Sequence, residues 1–163
     1  MDASSYQERQ HLLETTVKSM RAAPSLNVAI ETARRTARTL MACDGFTFVR
    51  RIGEQTDYLA EDAIETLWAG LQFDIDKCLA GRAMLREQTV VVPDITHVEN
   101  IPLNAYLATF VRRLVAVPIG SPHPTHAICF YWRESGSIDP DDVVLGEGLA
   151  KAIGEALDRF GEA

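Results

Sequence analysis

Residues 78–120 read CLAGRAMLREQTVVVPDITHVENIPLNAYLATFVRRLVAVPIG, and most of the fold is decided there. Three pieces separate by their residue types. Residues 79–85 form a short helix-like turn with Gly81 inside it. Residues 89–92 are a β-branched run stopped by Pro93, and residues 114–119 are a second apolar run stopped by Gly120 and Ser121. Short β-branched runs bounded by Pro and Gly suit buried strands, because branched side chains fit a pleated surface and the breakers fix its ends. Between the strands lies a long polar segment carrying Asp94, His97, Asn100, Asn104 and Tyr106. A connection of that length in a compact domain serves as a lid or binding loop.

Outward from this stretch, the chain alternates helix and strand signals. A helix is expected from Ser4 or Ser5 to about Met20, with Leu12, Leu13, Val17 and Met20 as a narrow stripe. Ser25 is placed to cap a second helix, whose buried face carries Leu26, Ala29, Ile30, Ala33, Ala37, Leu40 and Met41. Its end is expected near Cys43-Asp44-Gly45, with the glycine in a left-handed turn. Residues 45–52 read as a strand with Phe46 and Phe48 on one face and Thr47 and Val49 on the other. A turn at Gly53 returns it as residues 56–60. The stretch 61–70 begins with acids and carries Ala63, Ile64, Leu67 and Trp68, a stripe that predicts a short helix over the sheet. Residues 71–76 alternate like an edge strand, and 126–132 (HAICFYW) read as the last strand. Asp139-Pro140 opens a closing helix with Leu145, Leu149, Ile153, Leu157 and Phe160 along one side. Two helices, strands with short crossing helices, then a closing helix give an α+β layer with an antiparallel sheet.

At 163 residues, with 47% apolar and 24% charged residues, the chain is one domain, large enough to bury a real core. No apolar run approaches the ~20 residues that cross a bilayer, and MDASSYQERQ lacks the basic and apolar regions of a signal peptide, so the cytoplasm is the expected compartment and no membrane partner is expected. The net charge of −7 speaks against nucleic acid as a partner, since non-specific binding needs Lys and Arg on phosphates. Arg34-Arg35, Arg50-Arg51 and Arg112-Arg113 read as solvated or acid-paired. Cys43, Cys78 and Cys129 are scattered and odd in number, which gives no disulfide framework.

The order of the central stretch resembles the GAF domain family of small-molecule sensing modules. The resemblance rests on Gly81 followed by Gln88–Ile95 (QTVVVPDI) and on the VAVPI strand at Val115–Ile119, and it covers roughly residues 45–133. Residues 61–64, Leu67-Trp68, Gly70, Phe73, Cys78, Ile101-Pro102, Ala105-Tyr106, residues 109–112 and Tyr131-Trp132 further resemble the GAF domains of bacterial sensor histidine kinases. The implied fold has a central antiparallel sheet, terminal helices (1–42 and 139–161) on one face, and loops with short helices covering the other around a ligand pocket within 45–133, all in one domain, 1–163. The family arrangement places Phe48, Tyr58, Trp68, Phe73, Tyr106, Phe110 and Tyr131 around one cavity, and each is equally a core residue in type. Arg112 or Arg113 would meet an anion at its mouth, although the kinase-linked pattern has Ser where this chain has Arg113.

Relatives on this fold also use cysteine. Bilin attachment needs a Cys followed by His, and here Cys43, Cys78 and Cys129 precede Asp44, Leu79 and Phe130. The free methionine sulfoxide reductases grip their substrate amine with a Glu whose position is Leu114 here, and residues 96–111 contain no Cys, so that activity is not expected. Cys129 reads as a small core residue. Cys78, at a helix start, is either core or a reactive thiol, and belongs with the candidate ligand-binding residues. No metal-ligand spacing, catalytic triad or Gly-rich phosphate loop is present; His123 and His126 lie in a Pro-containing stretch, and His97 beside Asp94 reads as a loop hydrogen-bonding residue.

The resemblance implies a non-enzymatic sensory domain of a bacterial two-component type pathway. It would bind a small cytoplasmic ligand of unknown identity, pair as a homodimer through its terminal helices, and act on a histidine kinase or other signalling effector. Two alternatives stay open: a ligand-free dimerisation module, and a thiol-based redox sensor or reductase using Cys78. A pocket filled by the protein's own side chains would weigh against ligand binding.

Overall fold

The computed structural model describes residues 3–161; the outermost residues of the expected 1–163 domain, and the side chain of Ser4, lie outside the described part. Among the described residues, helices α1 (Ala3–Arg21) and α2 (Leu26–Met41) precede the hairpin β1 (Gly45–Ile52) and β2 (Gln55–Ala63). Then come β3 (Gln72–Asp74), α3 (Leu79–Arg86), β4 (Val90–Val92), α4 (Leu103–Leu107), β5 (Arg113–Ile119), β6 (His126–Trp132) and α5 (Pro140–Phe160). The strands form one six-stranded sheet in the order β3-β2-β1-β6-β5-β4. Every neighbouring pair is antiparallel.

Alternation along the strands builds two cores, one on each face. Val115, Val117 and Ile119 of β5 and Ile128, Phe130 and Trp132 of β6 join Phe46 and Phe48 under α2 and α5. The intervening Leu114 and Ala116, with Ala127, Cys129 and Tyr131, face the opposite side under α3, α4 and the loops. With both faces covered, β6 is buried at every position. That explains its almost unbroken apolar sequence, which a half-solvated strand would not tolerate. The arrangement of terminal helices on one face and short helices with loops on the other is the one expected.

Local signals explain most boundaries. The Ser25 hydroxyl accepts the Val28 amide, and the Asp139 carboxylate accepts that of Asp141 just ahead of Pro140. A cap of this kind satisfies one of the orphan amides of a first turn, worth about 1 kcal/mol. Helix α1 begins by Ala3, so Ser5 lies inside it rather than capping it. Helix α2 closes on Ala42, at φ 49°, not on Gly45. Gly45 opens β1 and is needed for space: a Cβ there would stand 2.9 Å from Phe110 Cζ.

The largest departure is at residues 61–70. No helix forms there: β2 runs on to Ala63, paired residue by residue with β1 up to Gly45. The acids that resemble a helix start have another use. Glu61, from the strand, turns its carboxylate onto the Leu67, Trp68 and Ala69 amides at 2.9, 2.8 and 2.7 Å. Those amides would otherwise bond within a helix, so one carboxylate replaces a helical turn with a pinned loop. Ile64, expected to be buried, is exposed.

Candidate functional site

On the loop-covered face, Tyr58, Trp68, Phe73, Cys78, Tyr106, Lys77, Pro102 and Ala105 enclose a cavity of about 10 Å³. That is room for about one water molecule. The space is filled by the protein's own rings. The Trp68 indole meets Tyr58, Tyr106 and Tyr131 edge-on at centroid distances of 5.8, 5.3 and 5.5 Å. Phe73 closes on Tyr58 at 5.5 Å. Edge-to-face contacts of this kind contribute about 0.5–1.5 kcal/mol each beyond burial.

Each wall comes from a different element. Tyr58 stands on β2 opposite Val49, and Phe73 on β3 opposite Thr56. Tyr106 belongs to α4, inside the long polar segment, and its hydroxyl accepts the Leu79 amide of α3 at 3.0 Å. Cys78 caps α3: its Sγ accepts the Gly81 amide and lies 3.4 Å from Thr56 Oγ1. Arg82 of α3 reaches back to the Glu99 carbonyl at 2.7 Å, tying the loop to the helix. Beneath the cavity the Tyr131 hydroxyl shares a 2.8 Å hydrogen bond with Thr47. Tyr58 differs from these. It is only 2% exposed, and its hydroxyl makes no hydrogen bond to any described residue. Burial raises its pKa well above that of a free phenol, with smaller contributions from Tyr131 and Cys78. It therefore stands at the cavity as a neutral phenol.

Of the ten residues expected to bind a ligand, Tyr58, Trp68, Phe73, Cys78 and Tyr106 line this cavity and Tyr131 touches Trp68 from below. Phe110 packs at the margin, against Gly45. Phe48 is misplaced by the expectation: it belongs to the helical face, stacked on His126 at 5.2 Å, because it alternates with Val49 on β1. Arg113 also lies on the helical face. Its guanidinium sits 4.8 Å from the Trp132 ring and donates to the Ser137 carbonyl at 2.7 Å. Arg112 donates to the Thr109 and Val111 carbonyls at 2.8 Å and does not line the cavity. The cation at the rim is Lys77, which the sequence does not single out. Glu61 reads in the sequence as part of a helix start and of the kinase-linked 61–64 match, without a role at the site.

The thiols other than Cys78 are core groups. Burial pushes Cys43 and Cys129 up to about 12, so neither ionises at neutral pH. Leu114 is fully buried on the cavity face opposite Tyr131. Among the described residues no three His, Cys, Asp or Glu side chains gather as metal ligands, and no helix is long and apolar enough to cross a membrane.

No family model and no curated protein matches this sequence. Solved structures do match in shape. The GAF domain of a phosphoenolpyruvate-protein phosphotransferase from Coxiella burnetii aligns with TM-score 0.82 at 14% identity, over 94% of this chain and 95% of that one. A free methionine-R-sulfoxide reductase from Neisseria meningitidis, solved with its substrate, aligns with TM-score 0.82 at 11% identity, over 97% and 93%. A GAF sensor protein from Burkholderia vietnamiensis, described as putative, aligns with TM-score 0.75 at 17% identity, over 94% and 96%. At such identities GAF domains and a reductase match alike, so the match speaks for architecture and not for activity: the chain has the GAF fold.

Proposed function

We propose that this chain is a non-enzymatic sensory module that takes a small ligand into the Tyr58–Trp68–Tyr106 cavity and passes occupancy to its helices. The observation that carries this reading is the aromatic-walled space itself, in which Tyr58, Trp68, Phe73 and Tyr106 converge from separate segments with Cys78 among them. Aromatic walls with a few polar groups are what small-molecule sites present. A route to the helices exists beside it. Glu61 holds the Trp68 loop on one face of β2, while its neighbour Asp62 points to the other face, 3.5 Å from Arg38 of α2. Opening the loop would disturb both, and a ligand that prefers the open state shifts the population accordingly. Leu114 offers an ammonium group nothing to bind, which argues against the reductase activity of the Neisseria protein. The output would lie in a bacterial two-component pathway, with a histidine kinase or other effector as partner.

A second reading rests on an equally specific observation. The cavity of about 10 Å³ is filled by the protein's own side chains, as a ligand-free dimerisation scaffold would require. Native mass spectrometry of the protein purified from cells separates the two. A non-covalent adduct lost on denaturation supports the sensor. A bare dimer that shows no thermal shift with any metabolite supports the scaffold, since a binder gains stability by mass action.

A further inference from the structure

Trp68 occupies the cavity in the manner of a bound molecule. Its indole is boxed edge-on by three tyrosines and is nearly buried, yet it makes no hydrogen bond to the Tyr58 hydroxyl. The segment that carries it, between Ile64 and Leu71, has neither helix nor strand. Its ends are tied to the sheet, by Ile64 N–H to the Asp44 carbonyl and Gly70 N–H to the Tyr58 carbonyl. Between those ties the three amide bonds to the Glu61 carboxylate hold the backbone, with the Leu71 N–H donating to the Trp68 carbonyl at 2.9 Å as a turn bond beside them. Glu65, Thr66, Ala69 and Leu71 are exposed, which leaves Leu67 and Trp68 as the buried side chains of the segment. Gly70, at φ 86° with open space around it, stands at the C-terminal tie.

Resting on the sensory reading above, we infer that Trp68 is an internal plug, that Glu61 is its latch, and that the ligand displacing it is a neutral planar aromatic of indole size with one hydrogen-bonding atom for Tyr58. The box supplies ring edges and hydroxyls. Its lining contains no carboxylate and no guanidinium, and its one cation, Lys77, is exposed at the rim. A charged ligand would lose its hydration there without gaining a partner. A neutral heteroaromatic matches the shape Trp68 already fills and adds the hydrogen bond that Trp68 leaves unmade. The latch sets the affinity, because the ligand binds only the fraction of molecules in which the plug is out.

The test uses indole as the probe, on wild-type protein and the Glu61→Gln variant, with both tryptophans replaced by 5-fluorotryptophan. A glutamine keeps one acceptor oxygen and sets an NH₂ group against the amides, so at least one charge-assisted bond is lost and the open population rises about tenfold. Calorimetry should then give indole binding about tenfold tighter to Glu61→Gln than to wild type. The ¹⁹F resonance of Trp68 should move on saturation while that of Trp132 stays. Equal affinity for the two proteins, or indole bound with the Trp68 resonance unmoved, overturns the plug. Should Glu61→Gln fail to unfold cooperatively, Trp68→Ala replaces it and should bind indole more tightly than wild type. No gain in that variant also overturns the inference. A ligand found by native mass spectrometry while indole is refused removes the plug and keeps the sensor. No cellular ligand and no indole uptake removes both.

Discussion

Gly81 lies inside α3, where alanine would ordinarily favour the helix by about 1 kcal/mol. Here the opposite is expected. A Cβ on Gly81 would stand 1.8 Å from the Ile75 carbonyl oxygen and 2.7 Å from its carbonyl carbon. These are backbone atoms that cannot rotate aside, so α3 and the 3-10 turn Ile75–Lys77 must separate by about an ångström or more to restore van der Waals distance. That separation loosens Ile75, Leu79, Ala80 and Met84, all buried, and stretches the Leu79 amide bond to Tyr106 in the cavity wall. Overpacking costs about 1–3 kcal/mol and more where backbone must move, so Gly81→Ala should lose about 3 kcal/mol net of the helix gain. In a chain of this size that lowers Tm by about 6–12 °C, readable by calorimetry or circular dichroism. Gly154→Ala is the internal comparison: its Cβ would meet Ile119 Cγ2 at 3.3 Å, a side-chain methyl, and the change should leave Tm unchanged or slightly raised. A Gly81→Ala protein as stable as wild type, or the same loss in both variants, would refute the packing argument.

Three other outcomes follow from the geometry. Thr47 and Tyr131 share a buried hydroxyl pair, so Tyr131→Phe alone should cost about 1–2 kcal/mol by stranding Thr47, whereas adding Thr47→Val should recover much of it in urea titrations; a strictly additive double variant would deny the coupling. Burial raises Cys43 and Cys129 from 9.0 to about 12, so between those values the unfolded chain releases thiol protons that the folded chain keeps. Stability present below about pH 9 should therefore fall as pH rises toward 12, by at most about 1.4 kcal/mol per pH unit for each thiol, with a shallower slope in Cys129→Ala; identical slopes would contradict the assignment. The Arg9 guanidinium, nearly buried, bonds the Leu40 carbonyl at 2.9 Å and Asp142 at 2.7 Å, joining α1 to the end of α2 and the start of α5. Arg9→Met should cost about 2–4 kcal/mol and speed hydrogen exchange in α1 before the sheet; exchange rates that stay at wild-type values would show α1 to be held by its apolar stripe alone.

The sequence by itself determined the frame. Runs 45–52 and 114–119, each stopped by Gly, and 126–132, entered after Pro124, became strands; Ser25 and Asp139 capped their helices; and alternation assigned Phe46 and Thr47 to opposite faces. These are local preferences of residue type, and nothing in the tertiary structure opposes them. The site was legible only through the resemblance of the motif order to the GAF family, which implied that Tyr58, Trp68, Phe73 and Tyr106 share one cavity, where the structure places them with Cys78. Only the tertiary structure decided the rest. It assigned Phe48 and Arg113 to the helical face, since which face of a sheet carries the cavity depends on what packs there. It also dissolved the helix expected at residues 61–70, because an acid-rich start satisfies backbone amides equally well from a neighbouring strand. Glu61 took the Leu67, Trp68 and Ala69 amides across a loop, and that long-range choice is what set the Trp68 indole inside the cavity.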